Sequence, residues 1–379
     1  MKIVTVVGAR PQFIKAATLS RAIANHNSKP ESLIIEEKIV HTGQHYDPNM
    51  SDNFFEELDI PRPHFHLNIG SGSQGTQTGK MLEKIEDVLQ QERPDCLLVY
   101  GDTNSTLAGA LVAAKLHIPI AHIEAGLRSF NRKMPEEVNR VLCDHVSNWL
   151  FCPTQTSVTN LQKEGITKGV EYVGDLMYDG MLYYQKKASR SVLDSLSIEP
   201  DEYILSTVHR AENTDNPERL KAILQSLEEA AETIGSVVLA LHPRTRKILS
   251  EQSFQISDSI QVIEPTPYLE TIALLQNAKA IMTDSGGMQK EAFFLQIPCL
   301  TLRDETEWVE TVNCGSSKLV GADTIKTRQA LDQLFSGEWE PNFSAKPYGF
   351  GKAADSIVMS LVKTKVQAKE QKITTSNPL

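Results

Sequence analysis

Three carboxylates stand where apolar stretches give way to polar ones. Asp102 follows Tyr100-Gly101, Glu124 closes His122-Ile123-Glu124, and Glu136 lies in Met134-Pro135-Glu136-Glu137-Val138-Asn139-Arg140. Each has an ordinary role open to it. Asp is a preferred helix N-cap, and glutamates favour the first turn of a helix. Glu124 is harder to explain away, because a carboxylate at the end of an apolar strand needs a partner, a ligand or a raised pKa. Taken together, three acids around one crevice suit proton transfers on more than one face of a substrate.

A second group of residues suits an anion. Gly8-Ala9-Arg10-Pro11 ends the first strand and opens a helix, with Arg10 and Lys15 flanking its N-terminus. His209 and Arg210 follow another strand, and there a phosphate contact competes with a satisfied core histidine. Ser285-Gly286-Gly287 lets backbone amides approach a diphosphate, and Glu291 lies one turn further on, suited to paired ribose hydroxyls. The Gly-x-Gly-x-x-Gly fingerprint, the lysine-bearing P-loop and the Gly-x-Ser-x-Gly elbow are all missing. His41 with His45, and His64 with His66, lack a third ligand nearby, so no metal is expected.

The elements that position these residues recur at regular intervals. Strands are predicted over 3–8, 38–42, 96–101, 118–124 and 149–152, then over 203–208, 236–241, 261–264, 279–284 and 298–302. Most are continuous apolar runs, as in parallel strands buried on both faces. Amphipathic helices are predicted over 75–91 and 216–234, the second with Asp215 and Asn216 at its start. The alternation predicts an α/β protein of two Rossmann-like doubly wound domains facing a cleft. The first covers 1–175 and carries the carboxylates. The second covers 176–364, its last helix free to pack back on the first domain, and 365–379 forms a flexible tail.

Composition narrows the classes. At 379 residues, 40% hydrophobic and 23% charged, the chain is ordinary globular material. Its apolar runs fall short of the roughly 18 residues of a membrane span, and no cleavage site follows Met1-Lys2. A net charge of −10 does not suit duplex nucleic acid. Five cysteines without a Cys-x-x-Cys pair, three of them in strand-like runs, point to a reducing cytoplasm.

In order along the chain, Gly-Ala-Arg-Pro, Gly-Asp-Thr, His-Ile-Glu-Ala-Gly-Leu-Arg, Pro-Glu-Glu-x-Asn-Arg, His-Arg-x-Glu and Asp-Ser-Gly-Gly-x-Gln form a specific set. From Met1 to about Leu361 the sequence resembles the bacterial non-hydrolysing UDP-N-acetylglucosamine 2-epimerases. The resemblance implies a glycosyltransferase-B type fold, UDP held mainly by the second domain, closure on ligand, a homodimer, and a place in polysaccharide biosynthesis such as O-antigen or capsule. It matches Asp102, Glu124 and Glu136 to catalytic carboxylates, and His209 to an essential histidine. Arg10 and Lys15 match cations near the substrate, and Ser285, Gly286, Gly287 and Glu291 the UDP-binding loop. Gln44 and His242 match a regulatory second sugar-nucleotide site of some members.

The implied reaction inverts carbon 2 by loss and return of UDP through a glycal. It needs no redox cofactor, because nothing is oxidised. Trp308 stands where many members carry an arginine, and His209-Arg210-Ala211-Glu212 replaces His-Arg-Arg-Glu. These variants are similar to the branch acting on UDP-2,3-diacetamido-2,3-dideoxyglucuronate. Arg128, Arg132 and Lys133 are candidates for a uronate contact and equally for solvated surface cations. A hydrolysing 2-epimerase, a glycosyltransferase on the same scaffold and a nucleotide-sugar sensor are the alternatives.

Overall fold

The computed structural model describes residues 1–44, 52–252 and 254–375, so His45 lies outside the described residues. The chain forms two compact units, Met1–Gly180 with the segment from Pro347 onward, and Met181–Lys346. The division falls inside the helix Leu176–Tyr184.

In the first unit the strands are β1 (Lys2–Val7), β2 (Glu36–His41), β3 (Phe65–His66), β4 (Cys96–Tyr100), β5 (Ile120–Ile123), β6 (Trp149–Cys152) and β7 (Val170–Tyr172). They form one parallel sheet in the order β3-β2-β1-β4-β5-β6-β7. In the second unit the strands are β8 (Ile204–Thr207), β9 (Val237–Ala240), β10 (Ile260–Ile263), β11 (Ala280–Thr283), β12 (Cys299–Thr301) and β13 (Ser317–Leu319). Their order is β10-β9-β8-β11-β12-β13, again all parallel. Both sheets are doubly wound. The winding reverses between β1 and β4 in one and between β8 and β11 in the other, and such reversals open a crevice at the strands' carboxyl ends.

Burial explains the apolar runs. β4 is buried throughout, as are all of β1 but its first residue and all of β11. On one face of the first sheet, Val4, Val6, Leu97 and Val99 pack against Met81, Ile85 and Leu89 of the helix Gln74–Glu92 and Ala108 of the helix Asn104–Lys115. In the second unit Ile204, Leu239 and Met282 meet Leu220, Ile223 and Leu227 of the helix Pro217–Ile234. Asn216 caps that helix by accepting from the amides of Glu218 and Arg219 at 3.1 and 3.2 Å.

The last helix, Ala353–Thr375, belongs to the first unit. The Ala354 amide donates to Asp179 at 2.9 Å, Ser360 Oγ donates to Glu171 at 2.6 Å, and Lys365 Nζ donates to Asp95 at 2.6 Å. Residues 347–364, counted with the second domain on sequence, therefore lie with the first. Residues 365–375 continue the helix instead of fraying at 364, its continuation begun by the Lys365 ion pair. Among the described residues no helix is long and apolar enough to cross a membrane.

Candidate active site

In the first unit the predicted residues gather at the sheet's reversal point. The helix Arg10–Asn27 starts just past β1, with Pro11 in its first turn. It carries the half-buried Arg10 at its first position and buries Lys15 one turn later. Lys15 Nζ forms an ion pair with Glu124 Oε2, just past β5. Asp102, just past β4, is ion-paired to Arg140 of the helix Pro135–Val146. Each acid thus has its own cation, and the two carboxylates still repel one another. Burial, with Glu124's charge adding and the Arg140 charge opposing, pushes the Asp102 carboxyl above its usual range. A carboxyl raised above its usual range beside an ion-paired carboxylate is an arrangement for moving protons.

The backbone around Glu124 is strained. Its φ is 71°, a left-handed conformation that costs a non-glycine residue about 1–3 kcal/mol. The amides of Glu124 and Ala125 both donate to the Phe151 carbonyl, each at 3.1 Å, which holds the turn.

A ladder of side-chain amides supports the pair. Gln12 Oε1 accepts from the amides of Gly8 and Ala9 at 2.8 and 3.1 Å. Its Nε2 faces the Tyr100 carbonyl at 2.6 Å and the Thr103 hydroxyl at 3.0 Å, joining the ends of β1 and β4. Asn139 Nδ2 donates to the Asp102 carbonyl at 2.9 Å and to Asn104 Oδ1 at 3.1 Å. Asn104 in turn donates to Gln77 Oε1 at 2.9 Å, and Gln77 donates to the Gln44 carbonyl at 3.2 Å. The Gln44 side chain accepts from Ser105 N and Oγ at 2.9 and 2.7 Å, so this candidate second-site residue is braced against the helix that Asp102 precedes.

The second unit has its own reversal point. Asp284, fully buried just past β11, accepts from the amides of His209 and Arg210 at 3.0 Å each and from Asn213 Nδ2 at 3.1 Å. It also stands 3.3 Å from His209 Nδ1. Burial holds the His209 ring below its ordinary pKa; Asp284 opposes this, and His242 and Arg210 add to it. His242 lies beside His209, ring centroids 5.8 Å apart, and caps its own helix by accepting from the Arg244 amide at 3.2 Å.

Ser285 caps the helix Gly286–Phe294, accepting from the Met288 amide at 3.4 Å. Gly286 could not be any larger residue without movement. A Cβ there would stand 2.6 Å from Glu307 Oε1 and 3.2 Å from Trp308 Nε1. Gly287 faces open space apart from Ser285 Oγ at 3.8 Å, so its backbone is approachable. Glu291 accepts from the Tyr268 hydroxyl at 3.3 Å. Glu307 receives Arg303 Nη1 at 2.8 Å and lies 3.7 Å from Arg210 Nη2. Trp308 is buried under the Lys290 ammonium, 3.9 Å from its ring centroid.

Asp102, Glu124, Lys15 and Arg10 therefore belong to one strand-end cluster, and His209, Arg210, Ser285, Gly286 and Gly287 to another. Glu136 is exposed at the first turn of its helix, and among the described residues its side chain forms no hydrogen bond or ion pair. Its neighbour Glu137 is the inward one, accepting from Ser129 N, Phe130 N and Arg140 at 2.9, 3.0 and 3.2 Å. Arg128 is not free for a uronate. Its side chain is 1% exposed and is bound to Asp144 and Glu164. Arg132 and Lys133 are exposed. Sequence reasoning missed the roles of Gln12, Asn139, Arg140 and Asp284, although the last three lay inside motifs already noted and Gln12 directly follows Gly8-Ala9-Arg10-Pro11. Among the described residues no group of three or more His, Cys, Asp or Glu could hold a metal ion.

Comparison with known proteins agrees with this geometry. The profile of a family described as UDP-N-acetylglucosamine 2-epimerase matches residues 28–362. A UDP-N-acetylglucosamine 2-epimerase homolog of Methanococcus maripaludis is 52% identical, covering 94% of this chain and 98% of its own. The UDP-2,3-diacetamido-2,3-dideoxy-D-glucuronate 2-epimerase of Pseudomonas aeruginosa is 50% identical, covering 96% of this chain and all of its own. The crystal structure of Methanocaldococcus jannaschii UDP-GlcNAc 2-epimerase with UDP-GlcNAc and UDP is 44% identical, with a TM-score of 0.83 over 96% of this chain and 100% of that one. A lipopolysaccharide outer core galactosyltransferase, 12% identical at a TM-score of 0.54 over 95% of this chain and 99% of its own, shares the glycosyltransferase-B type fold alone.

Proposed function

The chain belongs to the UDP-N-acetylglucosamine 2-epimerase family, and we propose that it inverts carbon 2 of a UDP-N-acetylglucosamine-type sugar by eliminating and re-adding UDP. The chemical obstacle is that carbon 2 is not adjacent to a carbonyl, so its proton is weakly acidic. Breaking the bond from carbon 1 to the UDP oxygen first, with the electron pair leaving on UDP, makes an oxocarbenium-like centre. Loss of the proton from carbon 2 then gives a glycal. A proton returns to carbon 2 on the opposite face, and UDP re-adds at carbon 1.

The observation that carries this reading is the pair of strand-end carboxyls, Asp102 ion-paired to Arg140 and Glu124 to Lys15. Asp102, its carboxyl raised above the usual range by burial, is the proton donor on one face of carbon 2. Glu124, salt-bridged to Lys15, is the base on the other. Arg10, His209, Arg210 and the amides of Ser285, Gly286 and Gly287 stabilise the departing UDP, an electrostatic role at a helix N-terminus. Glu291 takes the ribose hydroxyls, and Glu136 serves the carboxylate pair once substrate is bound. Gln44 and His242 serve the regulatory site, and the working form is a homodimer, tested by the particle mass in solution.

The sugar is settled by offering purified protein UDP-N-acetylglucosamine and its 2,3-diacetamido uronate counterpart in turn. Proton spectra should show the carbon-2 epimer of one of them accumulating to equilibrium while the UDP linkage stays intact. Stoichiometric release of UDP and free sugar would identify a hydrolysing enzyme, and transfer to an added acceptor a glycosyltransferase.

A further inference from the structure

Two buried groups outside the substrate-facing set join the loops that carry Asp102 and Glu124. His122, on β5 two residues before Glu124, is fully buried. Its Nε2 lies 2.7 Å from the carbonyl oxygen of Gly101, the residue before Asp102, and its Nδ1 lies 2.7 Å from Asp144 Oδ1. Asp144, on the helix Pro135–Val146, is buried as well. Its Oδ2 accepts from the Gly126 amide at 3.1 Å, two residues past Glu124, and from Arg128 Nη1 at 2.7 Å.

The ring therefore spans the end of β4 and the end of β5, and Asp144 closes the brace on the far side of Glu124. The loop has no slack to absorb a change. Gly126 has φ 79°, a Cβ on it would collide with the Ser157 carbonyl, and Asn160 Nδ2 donates to its oxygen at 3.1 Å.

We propose that His122, oriented by Asp144, is a positioning residue that sets the spacing of Asp102 from Glu124, so that turnover depends on it and substrate binding does not. The proposal rests on reading the chain as a 2-epimerase. Inversion requires both carboxyls to register on the same carbon from opposite faces, and a misplacement of about 1 Å costs on the order of 100-fold in rate. Glu124 sits in a strained backbone that persists only where its surroundings over-determine it. Each ring nitrogen thus has one oxygen partner, the Gly101 carbonyl on one side and the Asp144 carboxyl on the other.

The test compares His122→Gln, whose amide can reach the Nε2 position, with His122→Asn, whose amide reaches only the Nδ1 position. His122→Asn should lower kcat about 100-fold while KM and UDP affinity stay within about threefold of the parent. His122→Gln, which can still hold the Gly101 carbonyl, should recover at least about tenfold of that loss. A folded His122→Asn protein with the parent kcat, equal losses in the two variants, or a loss of UDP affinity matching the loss of kcat would each overturn the proposal. If His122→Asn does not fold, nitrogen-15 spectra of the unsubstituted protein decide. Both His122 ring nitrogens should show hydrogen-bonded shifts, and a ring nitrogen with no hydrogen bond breaks the brace. An unsubstituted protein that does not invert carbon 2 defeats the functional reading instead, and shows it before any substitution is made.

Discussion

Arg128→Met separates a structural cation from a substrate-binding one. Arg128 Nη1 meets Asp144 Oδ2 at 2.7 Å, and its Nε and Nη2 meet the two Glu164 oxygens at 2.7 Å each. The Arg128 and Asp144 side chains are 1% and 0% exposed, whereas Glu164 is 27% exposed. Removing one member of a buried pair costs about 3–5 kcal/mol, because the surviving charge is stranded. His122 remains as a second partner of Asp144, which places this loss near the lower end, about 3 kcal/mol. Glu164 can turn to water, so its share is at most about 1 kcal/mol. The total of about 4 kcal/mol corresponds to a fall in Tm of roughly 8–16 °C for a unit of this size. Scanning calorimetry and urea unfolding near neutral pH measure it.

The pH dependence supplies an internal check on the same variant. Burial alone would raise the Asp144 carboxyl, but His122 and Arg128 outweigh it and hold the group below its usual range. The Arg128 hydrogen bonds do the same for Glu164. Below about pH 4 the unfolded chain binds more protons at these two sites than the folded one does. Their stabilisation is therefore present above the unfolded values and lost as pH falls through the folded ones, and the gap between parent and variant should narrow there. A loss under about 1 kcal/mol at neutral pH, with KM raised for a uronate sugar, would refute the reasoning and return Arg128 to the substrate.

Asp102→Asn and Glu124→Gln should each keep UDP binding by calorimetry while losing about 1,000-fold in kcat, and unchanged rates would reduce both residues to capping and packing. Because burial holds the His209 ring below its ordinary 6.5, any inflection this residue gives kcat/KM should lie below that pH. An inflection near 6.5 that disappears in His209→Asn would contradict it. Gly286→Ala drives a methyl group to 2.6 Å from Glu307 Oε1 and should destabilise the ligand-free protein by about 1–3 kcal/mol, whereas Gly287→Ala should leave the ligand-free Tm unchanged. Equal Tm values in the two alanine variants would show that the 302–308 loop yields.

Most of the strands that sequence alone could see have neighbours on both sides, such as β4 and β11, whose residues are buried throughout; the edge strand β10 was seen as well. The ones it could not see, β3, β7 and β13, are two or three residues long and each lies at a sheet edge. An edge strand has one pairing neighbour and little need for an apolar run. The helix after residue 364 was hidden for a related reason: Lys365 is held by an ion pair to Asp95, and no apolar stripe announces it.

At the site, residue type and strand-end position pointed to Asp102, Glu124, His209 and the Ser285-Gly286-Gly287 turn. What periodicity could not disclose was partnership across long stretches of chain. Lys15 with Glu124, Gln12 with Tyr100, and Asp284 with the His209 amide are all brought together by parallel crossovers. The choice between Glu136 and Glu137 was equally closed to sequence, since adjacent positions in a first helical turn differ only in which one faces inward.

In the proposed reaction carbon 2 gives up its proton while UDP is detached. Turnover in heavy water of UDP-sugar labelled with oxygen-18 in the bridge to carbon 1 tests it most directly. One deuterium at carbon 2 of the product is expected, together with label scrambled from the bridging to the non-bridging oxygens of the terminal phosphate. Product that retains protium at carbon 2, with the label still in the bridge, would contradict it.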